Sequence, residues 1–128
     1  MSGFSDFLEN ELLDHIFNGS AYSTPAKYIA LFTAAPSDSG GGTEVAGNDY
    51  ARKQHSVWSV ASGGQTSNTG AVTFAAASGA WGTVTHFGIF DSLNGGNLLA
   101  WGSVGTPKSV AANETVSFAD SSLTISLD

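Results

Sequence analysis

The side chains in this sequence best fitted to move protons or hold a metal are three histidines, His15, His55 and His86. Imidazole changes charge near neutrality and is a common metal ligand. Two imidazoles reach one ion when a helical turn or a hairpin sets them side by side. Neither an HxxxH nor an HxH spacing occurs here. His15 reads as a helix-end histidine, where the negative end of the helix dipole favours a cation. His86, between Thr85 and Phe87, reads as a strand residue in the core or on a sheet face. His55 follows Arg52-Lys53 and reads as exposed.

Serines are plentiful, but no G-x-S-x-G turn presents one as a nucleophile. The run Gly40-Gly41-Gly42-Thr43 lacks the Gly-Lys-Ser/Thr end of a phosphate loop and does not open a helix. Asp38, Glu44, Asn48 and Asp49 offer the oxygen ligands that calcium takes, but not at EF-hand spacing. A solvated loop is the expectation there. The chain has no cysteine, which excludes thiolate catalysis, Cys-ligated zinc and disulfides. The expectation is therefore no catalytic, cofactor-binding or metal-binding residue, and no enzyme. Trp58, Trp81 and Trp101 are the largest apolar side chains. They are expected in the core, with subunit interfaces or a sugar-stacking platform as the other uses of exposed aromatics.

Charge narrows the partners. The formal net charge is −7, from 11 acids against Lys27, Arg52, Lys53 and Lys108. A duplex binder needs several cations on one face to displace counterions. Four scattered cations do not supply that, so neither nucleic acid nor an anionic membrane is expected as a partner. Residues 1–17 carry Asp6, Glu9, Glu11 and Asp14 and no cation before an apolar run, so no signal peptide is expected. No apolar stretch approaches the ~18 residues of a membrane span. The missing cysteines fit assembly in the cytosol.

These residues must be positioned by regular elements. Phe4, Leu8, Leu12 and Ile16 lie four apart, with Phe7, Leu13 and Phe17 beside them, which predicts an amphipathic helix within residues 1–19. Ser2 or Ser5 can cap its start, and Asn18-Gly19 is a stop signal. The helix is expected to pack on its own domain or to dock on a neighbouring subunit. Residues 27–34 form a strand between Pro25 and Pro36. Residues 36–49 read as a long Gly-rich loop, of the kind that is often functional. Short strands follow within 53–61, 71–74, 81–90, 98–104, 115–118 and 123–127. The Asn94-Gly95-Gly96 turn sits before the fourth of these. The fold expected is mainly β. It is an antiparallel β-sandwich or small barrel, jelly-roll-like, preceded by one N-terminal amphipathic helix, in a single domain over 1–128.

A longer pattern runs through the chain. Phe7-Leu8-Glu9-Asn10-Glu11-Leu12-Leu13-Asp14-His15 is followed by Tyr28-Ile29-Ala30-Leu31-Phe32-Thr33, Gly42-Thr43-Glu44-Val45 and Tyr50-Ala51-Arg52. Then come Trp81-Gly82-Thr83-Val84-Thr85-His86-Phe87-Gly88-Ile89-Phe90-Asp91 and Gly95-Gly96-Asn97-Leu98-Leu99. Over nearly its whole length the chain resembles a family of small virion proteins of tailed phages, labelled structural or tail-fibre proteins. The resemblance implies a place in the virion, with assembly in the bacterial host cytoplasm, and carries no catalytic residues. Two positions compete. One is a head decoration, or cement, protein bound to the major capsid protein, which stabilises the lattice because it binds only the assembled form. The other is a tail-fibre or tail-tip protein that contacts other tail proteins and helps host attachment. A carbohydrate-binding module is a lower alternative. Decoration is ranked first, because no elongated shaft or extra receptor domain is visible. Contact with other copies is expected, with closed cyclic symmetry in general and as a trimer in the decoration reading, since decoration proteins commonly sit on symmetry axes. The candidate contact residues are Phe4, Leu8 and Leu12 on the helix stripe, and Val45, Tyr50 and Arg52 in and after the loop. Arg52 is either a solvated strand-end charge or the partner of an acid on a neighbour.

Overall fold

The computed structural model describes residues 2–127. Met1 and Asp128, the ends of the expected helix segment and domain, lie outside the described residues. The elements are β1 (Gly3–Phe4), α1 (Asp6–Phe17), β2 (Tyr28–Ala34), β3 (Thr43–Glu44), β4 (Lys53–Gln54), β5 (Gln65–Ser67), β6 (Val72–Thr73), β7 (Gly82–Phe90), β8 (Leu98–Val110), β9 (Ser117–Phe118) and β10 (Thr124–Ser126). The protein is mainly β and its strand pairs are antiparallel, with one short N-terminal helix.

A six-stranded sheet in the order β1-β8-β7-β2-β3, with β4 also on β2, forms one layer. It is open at both ends, so the arrangement is a sandwich and not a closed barrel. Two ribbons, β5–β10 and β6–β9, supply the facing layer. Ile29, Leu31, Val84, Phe87 and Ile89 of the sheet share one core cluster with Val72, Val116, Leu123 and Ile125 around the ribbons. β2 runs between β7 and the short strands β3 and β4. Its residues 29–32 are buried on both faces, which is why the segment reads as a continuous apolar run without alternation.

Asn68 fastens the ribbon layer. It is fully buried, and its amide nitrogen donates to the carbonyls of Gly70 (2.7 Å) and Ala119 (3.0 Å). Its Oδ1 accepts the Leu123 N–H at 2.8 Å. A buried amide is tolerated because each polar edge has a partner. At the other side of the sheet, β1 pairs with Ala100 and Trp101 of β8. Further along, β8 carries Gly105 in the left-handed region (φ 85°), then Pro107 and Lys108, residues that discourage a foreign strand from pairing.

Several boundaries differ from the sequence reading. The helix begins only at Asp6, because residues 3–4 pair with β8 as β1 and take Phe4 off the helix. Ser5 is the N-cap: it is extended, and its Oγ accepts the Leu8 N–H at 3.2 Å. The Ser2 hydroxyl instead donates to the Thr124 carbonyl. Asn18 and Gly19 end the helix as expected, with Gly19 at φ 67°. Loop 36–49 contains β3, since Glu44 reaches back to pair with Phe32. In the segment 53–61 only Lys53–Gln54 forms a strand, and Trp58 makes an isolated bridge to Asn68. The strand expected over 98–104 continues to Val110, because β7 offers pairing partners as far as Gly82.

Candidate functional site

Two places concentrate the candidate residues. The first is built on Arg52, which directly precedes β4 and sits beside Glu44 of β3 because both strands flank β2. Arg52 Nε and Nη2 donate to Glu44 Oε2 and Oε1, each at 2.9 Å, a bidentate pair. Its Nη1 donates to the carbonyls of Ser92 (2.9 Å) and Gly95 (2.7 Å) in the β7–β8 turn. The guanidinium carbon lies 3.7 Å from the centre of the Phe90 ring. Tyr50 completes the node: its hydroxyl donates to Glu44 Oε2 at 2.6 Å and accepts the Leu31 N–H at 3.0 Å. Burial, and then the hydrogen bond to Glu44, push the Tyr50 phenol far above its ordinary range. The Arg52 side chain is only 8% exposed and that of Glu44 24%.

The node therefore ties residues 43–52 and the 91–97 turn to the sheet edge. Val45 lies in the core, and Tyr50 packs on Phe74 and edge-on to Trp81. Arg52 is not a solvated charge, because β3 delivers an acid of its own chain, Glu44, to it. Nothing in the sequence spacing alone announced that pairing, although Arg52 was conspicuous as one of four cations.

The second place is the surface of α1. Phe4, Leu8 and Leu12 line an apolar groove of about 500 Å³ between the helix, the sheet and the ribbons, together with Tyr22, Lys27 and Trp58. Tyr22 sets its ring edge-on to Phe7, and its N–H donates to His15 Nδ1 at 3.1 Å. Its hydroxyl is buried without a hydrogen-bond partner among the described residues. Burial, followed by the negative charges of Asp91 and Glu11, raises its pKa. No residue of α1 is fully buried, and its last turns leave Leu13, Ile16 and Phe17 in solvent.

The remaining candidates are scattered. His15 is at the helix end, His55 bonds through Nε2 with the Thr69 carbonyl, and His86 bonds through Nδ1 with Thr85. His55 is half-buried against Trp58, where exposure was expected. Asp38 accepts the Trp101 indole N–H, Glu44 holds Arg52, and Asn48 donates to the Ala80 carbonyl, so the loop's oxygen ligands do not converge. Among the described residues, no group of three or more His, Asp or Glu side chains is placed to hold a metal. Trp81 is in the core, and Trp58 and Trp101 are half-buried with both indole N–H groups bonded.

Fold and sites together define a small mainly β module, with its strongest polar network closed within the chain and an apolar face left open at its N-terminal helix. A model of the family described as podophage GP4 fiber I protein gp80 matches residues 3–126, and the chain belongs to that family. It is a phage virion structural protein. No curated protein matches the chain significantly.

Proposed function

We propose that this protein is a non-enzymatic structural component of a phage fibre. The observation that carries the reading is the family's description as a fibre protein, matched over residues 3–126. It reverses the order of the two virion positions weighed from the sequence, where head decoration stood first. The compact sandwich fits a component that contributes to a fibre by contact with other tail proteins and with copies of itself. Binding to an assembled structure and not to free subunits would stabilise that structure by mass action. Assembly would take place in the host cytoplasm, without nucleic acid or membrane as partner, as the net charge of −7 favours.

Immunogold electron microscopy of intact virions tests the position. Label at the tail is the expected result. Label over the head, with expanded capsids gaining heat resistance on addition of the protein, would replace the fibre reading with decoration. Incubation with host envelope polysaccharide tests the non-enzymatic part, and release of new reducing ends would overturn it.

A further inference from the structure

Leu13, Ile16 and Phe17 are 56%, 68% and 82% exposed. They occupy positions i, i+3 and i+4, so they form one face of α1. Leu8 and Leu12 lie on a neighbouring face and wall the apolar groove with Trp58. One molecule therefore carries an apolar knob and an apolar hole side by side. Three large apolar side chains grouped in water differ from the single scattered ones that a monomer's surface normally shows.

We propose that the groove of one copy receives the Leu13-Ile16-Phe17 end of the helix of a second copy. Charge favours a second copy as the occupant. Lys27 stands at the groove, and among the described residues its ammonium donates to the Pro25 carbonyl alone. Among the described residues the one ion pair is Arg52–Glu44, so none of their acids pairs with Lys27. Asp14 is exposed beside the knob. Copies at −7 repel overall, and a contact that sets a scarce cation against an acid offsets part of that repulsion. Lys27 at the hole and Asp14 at the knob provide that match. Area points the same way. Helix packed against helix would cover three side chains per copy, short of the ~800 Å² per partner of a standard interface. In knob-into-groove contact, each chain is covered at both places. This contact goes beyond the fibre reading and stands independently of it, since it concerns copies in solution.

Light scattering after size exclusion, over a concentration series of the full chain, reads the contact. The expected mass is two or more copies. Phe17→Asp removes the knob, and Ser56→Arg, at an exposed residue on the groove wall, fills the hole. Each is expected to weaken association by roughly tenfold or more. A one-to-one mixture of the two variants is expected to regain a two-copy species, because it holds one intact knob and one intact hole. Lys27→Glu and Asp14→Lys should each weaken association, and the double variant should restore it. Far-UV circular dichroism checks the fold of every variant, with Thr24→Arg replacing Ser56→Arg if the latter misfolds. A monomer at all concentrations overturns the proposal. So does a mixture that fails to associate, which is the mark of a helix-on-helix contact.

Discussion

The Arg52 node and the C-terminal half of α1 treat their most interactive side chains in opposite ways. At the node, four guanidinium hydrogen bonds and an aromatic face are all met within the chain. At the helix end, Leu13, Ile16 and Phe17 meet solvent. A charge taken out of water costs several kcal/mol unless it is paired, so the node closes on itself. An apolar side chain left in water costs less, on the order of 2 kcal/mol, and that energy is recovered when a partner covers it. The difference separates a part that fixes the fold from a part that is free to make contacts.

The largest test of this contrast is Arg52→Ala. It leaves Glu44 partly buried without its cation and releases the 91–97 turn, so a loss of about 3 kcal/mol is expected in urea unfolding. A loss below ~1 kcal/mol would break the comparison, because the node would then be no more than a surface pair. Next is alkaline stability. The folded state holds the Tyr50 proton more tightly than the unfolded chain does, so stability is intact below the unfolded pKa and falls as pH rises through about 10, by up to ~1.4 kcal/mol per pH unit. Tyr50→Phe should flatten that slope, read from urea midpoints at pH 9 to 11 (test values, about one unit either side of the unfolded pKa). Ser5→Ala is expected to cost about 1 kcal/mol through loss of the helix cap, again from urea midpoints. Phe17→Asp should change monomer stability by no more than ~0.5 kcal/mol. A larger loss in thermal unfolding would place Phe17 on the fold side of the contrast.

Much of the architecture was legible in the residues. β2 stood out as an apolar run of β-formers between prolines, and Asn18-Gly19 marked the helix end. Phe4 misled because it continues the i, i+4 spacing of Leu8 and Leu12. Backbone pairing of Gly3 and Phe4 with Trp101 and Ala100 outweighed that local pattern. β3 was hidden because Thr43-Glu44 follows three glycines, and only its pairing with β2 makes it a strand. Phe4, Leu8 and Leu12 do share a groove, whereas Val45, Tyr50 and Arg52 turn inward.

By itself, the sequence determined the local quantities: charge balance, the lack of thiol chemistry, the β-rich pattern and the helical stripe. These depend on residue type and near-neighbour spacing, which a linear chain displays in full. Tertiary structure alone decided which polar groups would close on each other. Arg52 meets Glu44 eight residues away and the carbonyls of Ser92 and Gly95 40 and 43 residues away. It also decided which side of the helix stripe faces the groove and which faces water. Long-range contacts of that kind are set by sheet order and register, and no short window of sequence contains them.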